Sequence, residues 1–440
     1  MRKSEERIRA VLDEQSYIEL RKNAKDGSSG GYGLIDGRLV FICAQDPEER
    51  GGSMNLRQAE KTEYLFDAAE RMHAPMIELA DSSGIPLTQA MDGLHAAGRL
   101  IHKKASVKGR VPMITAVLGT CGGSQAVLAG LSDFLLLEQN ADLYVLPSDT
   151  VQGNKEQTFR TAEEAEKSGQ ADFRGTFAEI AQEIRRIVSC LPSDSLGGGA
   201  YEPSSDSLNR KAENFASLHG SDAVREIADD REFIERKRFS QSGMATGLIR
   251  INGQTVGVVA NEEPEVSARG LREAADMIRF CAGFRIPVLT VCEAASFKRD
   301  PGNAMHLASA CRELAEAYSC ADAGIVTVIR RAEGLPGMLL GSRSAGADLV
   351  LACTDSVVSV LDSRAAAGIL GCSEEEFTAE QSSLEAAEER GLIDVICRPE
   401  EIRQQICASF EMLFSKAGYP LAEEILSMER NREWKSRKQN

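Results

Sequence analysis

The sequence has little of what marks several common protein classes. Its 440 residues hold 51 Lys and Arg against 67 Asp and Glu, a formal charge of −16, so we expect no broad basic face for nucleic acid or anionic lipid. The 11 cysteines and 5 histidines are scattered, which excludes a recognisable disulfide or metal-ligand spacing. No signal peptide is evident, and no apolar run approaches the roughly 20 residues that span a bilayer. We therefore expect a cytoplasmic protein with reduced thiols, no metal site and no nucleic-acid partner.

The chain does have apolar residues, 42% of the total, which suffice for two or three domain cores. One stretch, Val111–Phe134, predicts a strand, a glycine turn and a helix in that order. The apolar run up to Leu118 predicts a buried strand, and Ser124 opens a helix of small residues. The glycines in residues 119–123 predict a sharp turn or a close approach of the backbone to a ligand. N–H groups in the first turn of that helix could face a developing oxyanion. A tight strand-to-helix turn with close packing explains the same pattern without catalysis.

The residues before this stretch predict alternating helices and strands. Residues 8–23 predict a helix, and Asp36-Gly37 between two apolar runs predicts a β-hairpin with a type I′ turn. Helical periodicity at residues 58–73 and 91–104 flanks a strand that starts at Pro75. Alternation of this kind with short loops favours a parallel sheet.

The second half of the chain repeats the first. DDREFIE (229–235) matches DEQSYIE (13–19) at an offset of 216 residues (229 − 13), and the hairpin phrase returns at Asn252-Gly253 at the same offset. Residues 327–334 match residues 115–122 at an offset of 212 (327 − 115). Matches in one order with small gaps indicate two duplicated domains. The best linker candidate is residues 191–210, so we predict domains at 1–205 and 206–440.

Six phrases follow one another along the chain: GGSMN (51–55), ADSSGIPLTQAMDG (80–93), GTCGGSQAVLAGLSDF (119–134), DDREFIE (229–235), INGQTVGVVAN (251–261) and AAEERGLIDVI (386–396). Their order resembles that of the carboxyltransferase subunits of biotin-dependent acyl-CoA carboxylases and decarboxylases. The resemblance implies an α/β fold of two duplicated crotonase-like (ClpP/crotonase) ββα-superhelix domains. The first would bind an acyl-CoA, and the second would bind the biotin of a carrier protein. An active site between protomers is also implied, hence a homo-oligomer from dimer to hexamer.

The chemistry implied by this resemblance needs fixed hydrogen-bond donors and no protein nucleophile. Carboxyl transfer at the carbon beside a thioester passes through an enolate, and removing one donor to such an oxyanion typically costs about 2.7–4 kcal/mol. The family's thioester donors fall on the backbone N–H groups of Gly123 and Ser124, which follow Gly122. The expected substrate-binding residues of this half are Ser82, Ser83, Gly84 and Cys121.

The second half departs from the family pattern at the corresponding turn. Where the family has a Tyr-Gly-Gly-Ala-Tyr phrase, this chain has EGLPG (333–337), which puts the donors on Leu335 and Pro336. Proline has no N–H, so one donor is missing unless the register slips. Glu333 also brings a carboxylate to a place where negative charge should develop. The expected site residues here are Gly334 and Leu335 as catalytic groups, with Gly337, Arg330 and Arg331 as substrate contacts.

Three functions remain open on the sequence. The first is a carboxyltransferase subunit that moves a carboxyl group between carrier-bound biotin and the α carbon of an acyl-CoA. It would serve a biotin carboxylase partner or the membrane subunits of a sodium-pump decarboxylase, in the second case at the membrane periphery. The second is an assembly or regulatory paralogue that binds CoA esters without turnover. The third is a biotin-independent lyase or isomerase in which Glu333 acts as acid or base. The chain has no Ala-Met-Lys-Met phrase and no P-loop, so biotin attachment and ATP use belong to other chains.

Overall fold

The computed structural model describes residues 1–22, 26–86, 88, 90–146, 161–192, 200–414 and 416. The chain divides into two compact units, of which one comprises Met1–Tyr201 with Ile234–Leu248 and the other Glu202–Phe233 with Ile249–Asn440. A domain boundary between residues 205 and 206 stays a prediction. Residues 193–199 of the predicted linker lie outside the described residues.

An eight-stranded sheet organises the first unit. In chain order its strands are β1 (Ile18–Glu19), β2 (Ser28–Ile35), β3 (Arg38–Gln45), β4 (Met76–Ser82), β5 (Met113–Gly122), β6 (Phe134–Glu138), β7 (Asp142–Tyr144) and β8 (Phe173–Gly175). The helices are α1 (Lys3–Val11), α2 (Leu56–Met72), α3 (Ala90–Ser106), α4 (Ser124–Gly130), α5 (Ala162–Lys167) and α6 (Phe177–Cys190). The strand order is β1-β2-β3-β4-β5-β6-β8, and β7 pairs with β5. Strands β1 to β3 pair antiparallel, whereas β3 to β6 pair parallel, as the sequence predicts.

A seven-stranded sheet follows, with order β17-β16-β15-β13-β11-β10-β9, and a two-stranded sheet joins β12 to β14. The strands are β9 (Ile234–Arg236), β10 (Met244–Ile251), β11 (Gln254–Asn261), β12 (Glu265–Val266), β13 (Val288–Ala294), β14 (Ser296–Phe297), β15 (Ile325–Glu333), β16 (Leu349–Ser359) and β17 (Val395–Cys397). The helices are α7 (Gly220–Ile227), α8 (Ala268–Gly283), α9 (Pro301–Ser319), α10 (Gly334–Leu339), α11 (Ser363–Leu370), α12 (Glu374–Phe377), α13 (Leu384–Glu389) and α14 (Ile402–Leu413).

Both large sheets are built from the same series of elements. The hairpin β2–β3 corresponds to β10–β11, α2 to α8, β4 to β13, α3 to α9, β5 to β15 and α4 to α10. The two hairpin turns also match, because Asp36 and Gly37 have φ of 48° and 76° and Asn252 and Gly253 have φ of 51° and 75°. Two successive positive φ angles define a type I′ turn. The predicted hairpin and the internal repeat are confirmed.

One local prediction is wrong. The helix predicted for residues 8–23 ends at Val11, and the chain then forms the short strand β1. The reason is a long-range contact: the carboxylate of Asp13 accepts the backbone N–H groups of Asp36 and Gly37 at 3.1 and 3.0 Å. This contact ties the segment to the hairpin and overrides its helical propensity.

The core of the first unit lies between the sheet and its helices. Leu65 and Phe66 of α2 pack with Met76 of β4 and Met113 of β5 in one buried cluster. Burying a side chain of this size contributes about 1.5–3 kcal/mol. Within the described ranges, no helix combines the length and apolar character that crossing a membrane requires.

Candidate active site

The first-half turn forms where β5 ends and α4 begins. The strand does not end at Gly119, where the sequence predicted that a turn could begin, because β5 continues to Gly122. A Cβ atom on Gly119 would clash with the carboxylate of Asp81, so this glycine permits a close approach and no turn. The chain turns at Gly123 instead, with φ of 62° and ψ of −124°, a conformation that only glycine adopts without strain.

The two N–H groups predicted as donors have different surroundings. The N–H of Gly123 donates to the carbonyl oxygen of Tyr144 at 2.8 Å and extends the pairing of β5 with β7. Ser124 is the first residue of α4, where an N–H group has no intrahelical acceptor. Among the described residues the Ser124 N–H has no acceptor, and its buried hydroxyl has no partner either. Ser124, rather than Gly123, therefore offers a donor in this conformation.

The predicted substrate loop lies beside this turn. Ser82 at the end of β4 is the register partner of Cys121 on β5. The N–H of Ser83 donates to the Gly51 carbonyl at 3.0 Å, and the N–H of Gly84 donates to the Ser82 hydroxyl at 3.2 Å. Burial raises the pKa of Cys121 to about 12, so this thiol stays protonated at neutral pH and acts as a packing group.

Two glutamines support the turn, the buried Gln125 and the partly exposed Gln45, and neither was expected from the sequence to have a role. The side-chain oxygen of Gln45 accepts the backbone N–H of Asp81 at 3.0 Å, and its amide nitrogen donates to the side-chain oxygen of Gln125 at 3.2 Å. The carboxylate of Asp81 accepts the N–H of Thr120 at 3.2 Å and pairs with Arg7 at 2.9 Å. The one sequence signal for Gln45 is its place in the repeat, where Asn261 occupies the matching position.

The second-half turn has the same strand pairing and the same positive-φ glycine as the first. Its residues are shifted by one from the positions that the sequence repeat gives. Glu333 is the register partner of Ser359, just as Gly122 is the partner of Tyr144. Gly334 follows with φ of 56°, as Gly123 follows with φ of 62°. Gly334 therefore corresponds to Gly123, at an offset of 211 (334 − 123) instead of 212.

This shift changes which residues stand at the donor positions. Leu335, which has an N–H group, takes the place of Ser124, and Pro336 takes the place of Gln125. Pro336 is the third residue of α10, and proline is tolerated in the first turn of a helix. Gly337 follows because a Cβ atom there would lie 2.5 Å from the carbonyl carbon of Ala332. It is thus a close-packing glycine between α10 and β15.

The charged residues around the second turn are paired. Glu333 is only 8% exposed, and its carboxylate accepts two hydrogen bonds from Arg331 at 3.1 and 3.0 Å. Its charge is therefore compensated close to the turn. Arg331 itself is 43% exposed at its side chain.

Arg330, the other predicted contact, is engaged within its own unit. Its guanidinium donates to the carbonyl of Leu218 and, at 2.9 Å, to that of Ala216. It also lies 3.2 Å from Glu293 and stacks 5.2 Å from the ring centroid of Phe215. These contacts occupy the head group, so Arg331 is the more accessible of the two arginines.

A groove of about 520 Å³ runs along α4. Ala126 and Gly130 present the small face of the helix to it, and Leu143 and Tyr144 line it from β7. Lys237 adds one positive charge to a lining that is otherwise mostly apolar. A largely apolar ligand that carries an anionic group suits such a lining.

Comparison with known proteins agrees with this architecture. A family model described as the carboxyl transferase domain matches residues 5–424. Methylmalonyl-CoA decarboxylase subunit alpha of Veillonella parvula is 28% identical over 93% of this chain and 90% of that protein. The propionyl-CoA carboxylase beta chain of Roseobacter denitrificans is 29% identical over 94% of this chain and 90% of that protein.

A solved structure supports the fold independently. The transcarboxylase 12S hexamer, crystallised with hydrolysed methylmalonyl-coenzyme A bound, matches with a TM-score of 0.89 at 23% identity, over 94% of this chain and 89% of that one. The predicted crotonase-like α/β fold is thereby confirmed. Because the family model covers nearly the whole length, the chain belongs to the carboxyl transferase domain family.

Proposed function

We propose that this chain is a carboxyltransferase subunit that moves a carboxyl group between biotin and the α carbon of an acyl-CoA. The observation that carries the proposal is the duplicated strand–glycine–helix turn, with an N–H group at Ser124 in one copy and at Leu335 in the other. The relatives named above act on propionyl-CoA or methylmalonyl-CoA, so we infer a short acyl chain of this kind.

The first turn suits the thioester. As a proton or carboxyl group leaves the α carbon, negative charge builds on the carbonyl oxygen, and the Ser124 N–H would donate to it. The turn is rigid before substrate arrives, since the Gly123 N–H is already bonded to Tyr144. A donor fixed in advance costs no reorganisation during the reaction. The groove along α4 would hold part of the CoA, with Lys237 near a phosphate.

The second turn suits the biotin side. Biotin, carried on a separate protein, supplies or receives the carboxyl group, and Gly334 and Leu335 would hold it. The residues present fit this role, because Arg331 pairs with the carboxylate of Glu333 at the turn. A second copy of the chain, a biotin carrier protein and either a biotin carboxylase or membrane decarboxylase subunits are the proposed partners. None of the 11 cysteines, which all lie in the described ranges, forms a disulfide, and this supports a cytoplasmic location.

The two alternatives differ in what they need. A biotin-independent lyase would need the Glu333 carboxylate to reach the substrate, yet this side chain is buried and accepts two hydrogen bonds from Arg331. An assembly or regulatory paralogue would need only the fold and CoA binding. We keep this second alternative as an outcome of the experiment.

The test is carboxyl transfer from methylmalonyl-CoA to free biotin or to a biotinylated carrier, with the purified full chain. We expect transfer that avidin abolishes. Transfer that avidin leaves unchanged would support the biotin-independent reading. CoA-ester binding without any transfer would contradict the proposal and support the non-catalytic paralogue.

A further inference from the structure

Two hydrogen-bonded side-chain amides, those of Gln45 and Gln125, join β3 to the first turn of α4. The backbone N–H of Asp81 donates to the side-chain oxygen of Gln45. The side-chain nitrogen of Gln45 is therefore the atom that faces Gln125. This nitrogen must donate, and Gln125 must present its oxygen to receive the bond, at 3.2 Å. Gln125 is 5% exposed and Gln45 is partly exposed, so the bond is partly shielded from solvent.

A small cavity with both polar and apolar lining residues adjoins the pair. Its volume is about 30 Å³, and Gln45, Gln58 and Gln125 line it. Both amide atoms of Gln58 and the amide nitrogen of Gln125 are buried without a partner among the described residues. A water molecule needs about 10–15 Å³ and two to four polar partners, which this cavity supplies. Unbonded buried amide groups cost about 1–3 kcal/mol each, so water binding here is favoured.

We propose that Gln45 and Gln125 are positioning residues for carboxyl transfer, with water in the cavity completing their hydrogen bonds. The inference rests on the proposed role of the Ser124 N–H. Gln125 directly follows Ser124, so holding its side chain holds the first turn of α4 and the direction of that N–H. Asp81, bonded to both Gln45 and Thr120, fixes the strand side of the same turn.

The second half shows that the fold does not require this pair. Asn261, at the position matching Gln45, accepts the backbone N–H of Glu293 at 3.0 Å, just as Gln45 accepts that of Asp81. Its side-chain nitrogen is buried and has no partner in the described part of the chain. The acceptor is missing because Pro336 stands where Gln125 stands in the first half. The amide pair is thus a specific addition to the acyl-CoA side.

The test replaces Gln125 in the full chain. Q125M keeps the volume and helix propensity of the side chain but removes the acceptor. V127A is the matched control, since Val127 lies on the same helix and is 42% exposed. For transfer from methylmalonyl-CoA to biotin we expect kcat to fall about tenfold in Q125M with KM within twofold, because misplaced donors mainly affect the transition state. V127A should match the wild type.

A second readout does not depend on turnover. Propionyl-CoA labelled with ¹³C at the thioester carbonyl should show a downfield shift when bound to the wild type and to V127A, and a smaller shift in Q125M. Equal shifts and equal kcat in Q125M and wild type would overturn the positioning role alone. Binding to the wild type without any shift would overturn the proposed donor at Ser124, and the positioning role with it. If Q125M does not fold, Q45M removes the same bond from the other partner and is judged by the same two readouts.

Discussion

The two turns of this chain follow one backbone plan, but different side chains hold them. In the first, a hydrogen bond between Gln45 and Gln125 braces the helix start. In the second, Pro336 takes the place of the bracing residue, and its ring fixes φ near −65° without any partner. Both copies keep the positive-φ glycine and the N–H group of the residue after it. The side chains that hold the helix start, Gln125 and Pro336, differ between the copies. A backbone site can therefore survive even when the phrase that marks it in sequence does not.

The largest expected effect comes from deleting one N–H in each half. S124P places proline at the first helical position, which suits it, after a glycine whose φ of 62° and ψ of −124° mirror an extended conformation. We expect S124P to fold normally and to lose about 10²–10³-fold in carboxyl transfer, the usual effect of removing an oxyanion donor. L335P should lower transfer to biotin by a similar factor. Enzyme assays with thermal unfolding of each variant make the comparison.

The ¹³C shift of bound propionyl-CoA separates the two halves in these variants. S124P should abolish the shift, and L335P should leave it unchanged, because only the first turn is proposed to meet the thioester. A shift lost in L335P and kept in S124P would mean that the roles of the two halves are reversed.

A smaller effect is expected from removing Arg331, the partner of the Glu333 carboxylate at the second turn. R331M leaves the buried carboxylate of Glu333 without its partner, whereas Gly122 at the matching first-half position carries no charge. The exposed side of Arg331 weakens this pair through solvent screening, so we expect a fivefold to tenfold loss of transfer to biotin, about 1–1.4 kcal/mol. The double variant R331M/E333Q should recover the rate. No recovery would assign Arg331 a direct contact with the transferred group.

The free energy of unfolding of Pro336 variants gives a third comparison, between Pro336 and Gln125 as the residues that hold the two helix starts. P336Q would offer the buried side-chain nitrogen of Asn261 the acceptor that Gln125 offers Gln45. P336A removes the proline without adding an acceptor and is the matched control. We expect P336Q to unfold in urea with about 1 kcal/mol more stability than P336A, the usual value of one satisfied hydrogen bond. Equal stabilities would show that Pro336 and Gln125 do not occupy equivalent positions.

Local rules predicted most of the fold. The Asp36-Gly37 hairpin, the helices with a 3.6-residue period and the duplicated order of elements all depend on neighbours in sequence, and the structure has each of them. The pairing of Arg331 with Glu333 was also predictable, since residues two apart on a strand share a face. The predicted helix does not continue past Val11, because the carboxylate of Asp13 accepts a hydrogen bond from the backbone N–H of Asp36 in the hairpin turn, 23 residues later.

The details of the site could not be predicted in the same way. Between the pairs Ala80–Val117 and Ser82–Cys121, β5 advances four residues against two of β4, whereas between Cys292–Ile329 and Ala294–Ala332, β15 advances three against two of β13. An alignment without a gap does not show this one-residue shift. That shift moves the second donor from Pro336 to Leu335. The bond between Gln45 and Gln125 spans 80 residues, and no pattern in a single sequence joins them. The use of the Gly123 N–H by Tyr144 depends on the course of the chain after β6.

Two aspartates at matching places offer the last comparison. The carboxylate of Asp133 accepts the N–H of Met113 at 2.9 Å, and that of Asp348 accepts the N–H of Ile325 at 2.8 Å. Each therefore secures the start of the central strand in its half. They differ in burial, because the side chain of Asp133 is almost fully enclosed whereas that of Asp348 is partly exposed beside Lys416.

Burial raises the pKa of Asp133 above its ordinary value, although Lys108 and the Met113 N–H act against this. Below about pH 4 this carboxyl is protonated in both folded and unfolded chains. As pH rises, the unfolded chain ionises first, so ionisation favours unfolding until the folded carboxyl also ionises. D133N keeps the acceptor oxygen and cannot ionise, and its stability relative to the wild type should therefore increase from pH 4 upward and then level off. Urea unfolding between pH 4 and 8 measures this difference, with D348N as the partly exposed counterpart. A difference that stays constant over this range would mean that burial of Asp133 does not destabilise its charged form.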